Sequence, residues 1–322
     1  MTDTAKQILD RILRESGMPA LLEFLGERLA RTDLQSLMLA VYGRRAVRQT
    51  PSRVLDQYAQ NRFVGPATVS LRAIAAVDSL ALAHADPLFE ALDLAPVCPL
   101  GTVAALTGLD QNRIVSTARN TEVVSDSTNV LALECALRRR AARRQTPRDD
   151  GWVRLCTSHR LLRAQYYGQT TWRSHFRLFA LCTAGRDSPA ARFECAALAE
   201  HLGFYLALMA ALPTLGYELR DIRIVVTDLG ADRAALEQEV FGPLAARLAG
   251  VEFEFDPEQT SGRGYYDWLR FHLYATDAAG VAHEIGDGGF TDWTQQLLSD
   301  RRERLLISGI STERICELFG AR

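Results

Sequence analysis

Arginine is the residue type that dominates the possible chemistry of this 322-residue chain, in which Lys6 is the only lysine. A guanidinium is a planar, permanently charged fork that bridges two phosphate or carboxylate oxygens better than a lysine ammonium does. Two arginine clusters stand out. Arg44, Arg45 and Arg48 suit a solvated helix face that could meet an acidic partner. The stretch from Arg138 to Arg144 has five arginines in seven positions. Cations there suit the C-terminal end of a helix, with nucleic-acid contact as the other reading. The remaining signatures point away from common catalytic devices. Cys98, Cys135, Cys156, Cys182, Cys195 and Cys316 form no C-x-x-C pair, and the six histidines show no H-E-x-x-H spacing, so no metal site is expected. The cysteines read as small buried hydrophobes. No G-x-x-x-x-G-K-[ST], G-x-G-x-x-G or G-x-S-x-G motif is present.

The elements that must position these residues follow from composition and periodicity. Apolar residues make up 48% and charged residues 24%, the balance of a globular protein, and the formal charge of -2 argues against a chain held on nucleic acid by bulk electrostatics. No apolar run of about 20 residues is read, and Met1 to Lys6 lacks the pattern of a secretory leader, so a cytoplasmic protein away from membranes is expected. Residues 1–66 read as a helical extension. Its breaks fall at Gly17-Met18-Pro19, at a cap on Thr32-Asp33 and at Gln49-Thr50-Pro51-Ser52. This extension could carry a protein partner. Residues 67–322 read as the main domain, with helices over 67–85, from about Asn129 to Arg144, and over 189–212. Strands are expected at 153–156, 159–165, 175–183, 222–228, 251–255 and 305–308. A hairpin over 266–275 and 282–285 turns at Asp277-Ala278-Ala279-Gly280, and the chain closes on a helix at 312–318. Strands in succession with helices between them predict an α+β domain on an antiparallel sheet.

The order of pieces in this second part resembles the catalytic domain of class II aminoacyl-tRNA synthetases, most of all the histidyl enzymes. Val153-Arg154-Leu155 and Leu161-Leu162-Arg163-Ala164-Gln165 resemble the family's second motif. Arg173 lies in the following loop, and His175-Phe176-Arg177-Leu178-Phe179 is the returning strand. Tyr265-Tyr266-Asp267-Trp268-Leu269-Arg270-Phe271 is similar to a Tyr-Tyr-Thr-Gly-x-x-Phe strand. Gly286-Asp287-Gly288-Gly289 stands where those enzymes carry a triple-glycine turn, and Ser308-Gly309-Ile310-Ser311-Thr312-Glu313-Arg314 resembles the third motif. The likeness covers roughly 81–319. It implies an ATP site, with Mg2+, made by Arg163, Gln165, Arg173, Phe176 and Arg314. Arg163 would hold the α-phosphate and Arg314 the γ-phosphate. It implies a substrate site at Glu122, Leu178, Cys182, Tyr265, Tyr266 and Gly288, with Glu122 as the acid that grips a substrate ammonium. Arg163 and Gln165, two apart on a strand, would share a face.

Departures from the pattern qualify the expected function. Ser261 occupies the position of an arginine that acts on the α-phosphate, with Arg263 two residues away, and Ser311 replaces a usual glycine. The chain runs eight residues past Arg314, so no anticodon-binding domain and no ordinary tRNA charging are expected. Leu178 and Cys182 offer an imidazole poor hydrogen bonding, which argues for a small or apolar side chain rather than histidine. The leading expectation is a homodimeric, ATP-dependent activator of a small amino acid or related carboxylate. Its rival is a catalytically silent regulatory or scaffold paralogue, similar to the histidine-biosynthesis regulatory subunit.

Overall fold

The computed structural model describes residues 3–146, 151–165, 174–247, 250–256 and 265–320. The chain opens with α1 (Asp3–Ser16), α2 (Leu21–Glu23, continued by a π-helical turn), α3 (Arg31–Ala46), α4 (Pro51–Gln60) and α5 (Leu71–Ala85). Then come β1 (Glu90–Ala91), β2 (Val97–Pro99), α6 (Thr102–Thr107), β3 (Thr121–Val123) and α7 (Ser127–Gln145). The central stretch is β4 (Val153–Leu162), β5 (His175–Arg186), α8 (Arg192–Ala211) and β6 (Arg220–Asp228). After α9 (Arg233–Leu236), α10 (Gly242–Arg247) and β7 (Glu252–Phe255), the chain ends in β8 (Asp267–Thr276), β9 (Ala282–Thr291), α11 (Trp293–Leu298), β10 (Glu303–Ile310) and α12 (Thr312–Phe319).

Two compact units divide these elements. The first is Met1–Pro66 with Pro96–Ser125 and Leu162–His175. The second is Ala67–Ala95 with Asp126–Leu161 and Phe176–Arg322. In the first unit, Thr50 caps α4 by accepting from the Arg53 N–H, and Pro51 sits at the first helical position, where its missing N–H costs nothing. Thr32 and Asp33 lie inside the first turn of α3, whose cap position is Ala30 and carries no side-chain bond. No residue of α1 to α4 is buried.

The second unit is built on an eight-stranded sheet in the order β1-β4-β5-β10-β9-β8-β6-β7. Its interior pairs β5·β10, β10·β9, β9·β8 and β8·β6 are antiparallel, while the edge pairs β1·β4 and β6·β7 are parallel. This is the antiparallel α+β architecture that the sequence predicts. The stretch 189–215 is long and apolar enough to cross a bilayer, contrary to the reading that no such run exists. Phe193, Leu198, Leu202, Tyr205 and Leu208 of α8 are buried in the main core beside Phe179, Leu181, Phe271 and Leu306. A helix apolar all round is what a core helix requires. Three of the five arginines at the end of α7 are engaged internally. Arg138 pairs with Glu90, Arg139 with Glu303, and Arg143 with both Asp300 and Glu303. Arg140 and Arg144 of the run stay exposed.

Two expectations fail locally. The main chain leaves β4 at Leu162, so Arg163 and Gln165 do not lie on a strand and the period-two argument for their shared face lapses. There the backbone changes partners, with the N–H groups of Leu162, Arg163 and Ala164 donating to the carbonyls of Val124, Ser174 and Arg113. The Gly286–Gly289 stretch is not a turn. It is held inside β9 between β8 and β10.

Candidate functional site

The two faces of the sheet are told apart by their partners. Thr183 of β5 and Ser308 of β10 bond to His201 of α8, at 2.9 and 2.7 Å, so their side chains define the α8 face. Alternation then puts Leu178 and Cys182 of β5, and Gly309 of β10, on the opposite face. Register carries that face across the sheet, because Gly309 pairs with Asp287 of β9, and Asp287 with His272 of β8. Arg270 pairs with Gly289 on the same side.

This face is open and polar at Asp287 and Arg270, with a close-packed glycine floor, while at Cys182 and Ile307 it is buried. A side chain at Gly289 would meet the Tyr266 ring at 2.6 Å, and one at Gly309 would meet Leu178 at 2.8 Å. Their absence lets Tyr266 lie against β9 and donate its hydroxyl to Asp287 Oδ2 at 3.2 Å. Tyr265 packs edge-on to Tyr266 and to Trp293, with ring centroids 4.8 and 5.5 Å apart. His272 is 2% exposed, with Nδ1 3.2 Å from Glu284 Oε1. Burial lifts the Asp287 carboxyl above its ordinary value, against the pull of His272 and Arg270, while Glu284 and Asp126 add to the rise. Glu284 is held below its ordinary value by its bond to His272, with Arg270 and Arg314 assisting. Burial drives Tyr266 well above the usual phenol range, so it stays a hydrogen-bond donor.

Beyond the end of β10, Ser311 caps α12 by accepting from the Arg314 N–H at 3.3 Å. The same hydroxyl donates to the Arg177 carbonyl, and Glu313 accepts from the Arg177 N–H at 2.8 Å and pairs with Arg160. These bonds fasten the first turn of α12 to the start of β5, which brings Arg314 to the end of the sheet where Phe176 stands. Phe176 and Arg314 are both half-buried.

The expected site residues distribute as follows. Leu178, Cys182, Tyr265, Tyr266, Phe176 and Arg314 belong to the second unit. Gly288 does too, but it faces α8, since a side chain there would strike Ser308 Cβ at 2.5 Å and Phe271. Cys182 donates to the Thr128 carbonyl at 3.7 Å, and burial pushes its thiol well above its ordinary value. Burial likewise raises Cys156 to about 12 and Cys195 to about 11, so these thiols are core fillers and not nucleophiles. Glu122, Arg163 and Gln165 belong to the first unit. Glu122 is fully buried, accepting from the Gly101 and Val103 N–H groups at 2.8 and 3.0 Å and from Gln111 Nε2 at 2.8 Å. It is the anion at the start of α6. Arg163 donates Nε–H to the Ser125 carbonyl at 3.0 Å, and the Gln165 carbonyl accepts from Arg62. Arg173, Ser261 and Arg263 lie outside the described residues.

Sequence reading passed over Asp287, Arg270, His272 and Glu284 as site residues. The signals were the period-two set Arg270, His272 and Tyr274, and the acid set among three glycines. A separate cleft of 580 Å³ lies by β1, lined by Leu82, Leu88, Phe89, Arg138, Trp152 and Arg154 among others. Its two arginines are already paired, with Glu90 and Glu200.

No family model and no curated protein matches this chain. Solved structures do. The S. aureus histidyl-tRNA synthetase in its apo form is similar with a TM-score of 0.53 and 15% identity, over 76% of this chain and 64% of that one. An ATP phosphoribosyltransferase regulatory subunit/histidyl-tRNA synthetase from Bacillus halodurans has a TM-score of 0.55 and 14% identity, over 81% and 83%. A histidine–tRNA ligase subunit from Alicyclobacillus acidocaldarius gives 0.52 and 15%, over 78% and 94%. The chain thus spans just under two thirds of the length of the first of these. At such identities the likeness is one of fold, and the fold is class II synthetase-like.

Proposed function

We propose that this chain binds ATP, with Mg2+, and activates a small amino acid or related carboxylate as an adenylate. The observation that carries the reading is the fastening of Arg314 to the Phe176 end of β5 through Ser311 and Glu313. An aromatic ring and a guanidinium held at one end of a sheet are suited to a base and a polyphosphate. The first turn of α12 adds the favourable end of a helix dipole. In the reaction a substrate carboxylate oxygen forms a bond to the α-phosphorus while the bond to pyrophosphate breaks, and Arg314 would neutralise charge on the departing phosphates. Among the described residues no group of three or more His, Cys, Asp or Glu is arranged to hold a metal, so Mg2+ would travel on the phosphates. The substrate would lie over β9, on the face of Asp287 and Tyr266.

Pyrophosphate exchange into ATP, screened across amino acids and simple carboxylates, tests this. Exchange with any one of them is expected. ATP binding without exchange for any compound would replace this reading with a regulatory one. That second reading is favoured by the match to the regulatory subunit/histidyl-tRNA synthetase, which covers four fifths or more of both chains. Neither reading includes ordinary charging of tRNA.

A further inference from the structure

We infer that Asp287 is the group against which this chain holds an organic ammonium carried by its small-molecule ligand. This rests on the proposal that the face of β9 bearing Asp287 is the substrate face. It goes further in naming the charge that the face selects.

The argument starts from the packing of β9. A side chain at Gly286 would strike the Gly309 carbonyl oxygen at 2.5 Å, one at Gly288 the Ile307 carbonyl oxygen at 2.7 Å, and one at Gly289 the Leu269 carbonyl oxygen at 2.7 Å. Asp287 is therefore the side chain that this stretch presents, and it stands on the face away from α8. Across the strands it is flanked by Gly309, which offers no bulk, and by His272. Its one hydrogen bond among the described residues comes from the neutral Tyr266 hydroxyl, and no described cation is ion-paired with it. Asp287 is half-buried, and a carboxylate in that setting is stabilised by a full opposite charge more than by a neutral donor.

A second observation points to a ligand. His272 is 2% exposed, yet its Nε2 makes no hydrogen bond. Nδ1 has only the Glu284 contact. A buried ring nitrogen with no partner, opposite an acid that forms no ion pair among the described residues, is half of a polar site. The charges around the acid are mixed, with Arg270 and His272 on β8, Glu284 on β9 and Asp126 ahead of α7. The Asp287 carboxyl is raised by burial despite Arg270 nearby, and an incoming ammonium would stabilise the ionised acid.

The ammonium could be the α-amino group of an amino acid or the end of a basic side chain, and four probes separate the two. L-lysine carries both, L-norleucine only the first, cadaverine no carboxylate, and hexanoate no ammonium. Calorimetry on the full chain without nucleotide should show saturable binding of at least one ammonium probe and none of hexanoate. Norleucine binding identifies the α-amino group, whereas lysine and cadaverine binding without norleucine identifies the side chain. Asp287→Asn should weaken the bound probe by about tenfold or more, the scale of a charged hydrogen bond. Failure of every ammonium probe, hexanoate binding as well as norleucine, or equal affinity in Asp287→Asn overturns the inference. The comparison among probes uses only the wild-type chain, so it stands even if the variant does not fold. ATP titrated separately reads the nucleotide proposal: loss of ATP binding with ammonium binding intact would fault that proposal and not this one.

Discussion

Replacing Arg139 by methionine should cost this chain about 3–5 kcal/mol of stability, the usual result of stripping one partner from a buried ion pair. Arg139 and Glu303 both have no exposed side-chain surface, and they meet twice, Nε to Oε2 and Nη2 to Oε1, each at 3.1 Å. The variant leaves the Glu303 carboxylate buried with only Arg143 among the described residues, at 3.4 Å and 30% exposed, as an ion-pair partner. Arg143 also serves Asp300 at 2.9 Å, so it is a poor substitute, and the effect should fall toward the lower end of the range and not vanish. Removing both charges, in Arg139→Met with Glu303→Leu, takes away the uncompensated carboxylate and should recover at least about 2 kcal/mol, because a paired buried charge is worth little over an apolar replacement. Denaturant unfolding of the wild type, both single variants and the double variant, followed by circular dichroism, reads these differences from midpoints and slopes. A single variant within about 1 kcal/mol of wild type, or a double variant that loses the sum of the singles, would refute the reasoning.

Other outcomes follow from the same structure. Arg314→Ala should weaken ATP binding by about 1.5–3 kcal/mol in calorimetry, and unchanged affinity would remove the arginine from the nucleotide site. Burial holds His201 neutral, with its pKa lowered to about 3 from an ordinary 6.5. The unfolded chain then takes up a proton below about pH 6.5 that the folded chain refuses. Stability should be full above that pH and fall by about 1.4 kcal/mol per unit toward pH 3, and melting curves of His201→Leu should lack this share of the slope. Light scattering at micromolar concentration should give about twice the 35.7 kDa chain mass, with residues 81–101 at the contact as in the class II fold, and a monomer mass would count against it. Free histidine at sub-millimolar concentration should leave the melting temperature unchanged with or without ATP, because Leu178 offers an imidazole no hydrogen bond and Cys182 is fully buried against the Thr128 carbonyl; saturable stabilisation would show the pocket misread.

Much of the fold was legible because its signals are local. Thr50-Pro51 opens α4, Asp277 to Gly280 turn the β8–β9 hairpin, and the largely apolar stretch 192–211 is the core helix. The order of motifs along the chain brought Phe176 and Arg314 together, and the bonds of Ser311 and Glu313 to Arg177 do hold those two elements side by side. The open face was not, because it is made by register between strands far apart in sequence. Gly286-Asp287-Gly288-Gly289 read alone is turn-like, and only its pairing with both β8 and β10 turns Asp287 toward Tyr266. Glu122 was read as a ligand for substrate because its partners, the N–H groups at the start of α6, come from a short helix that periodicity is too weak to announce. Arg163 was placed on a strand that ends one residue earlier, where the backbone exchanges partners.

The glycines of β9 have a consequence for how this protein can change. At 286, 288 and 289 a new side chain would collide with main-chain oxygens, which cannot step aside without parting strands in the middle of the sheet. Position 287 carries no such tax. A population of variant sequences could sample acid, amide, hydroxyl or aliphatic groups there while β9 stays in register, each sample presenting a different surface to whatever lies above it. On the inference that Asp287 holds the ligand, its preference would be adjustable through a single codon, and related chains with the same fold would be expected to diverge at 287 before they diverge at its glycine neighbours.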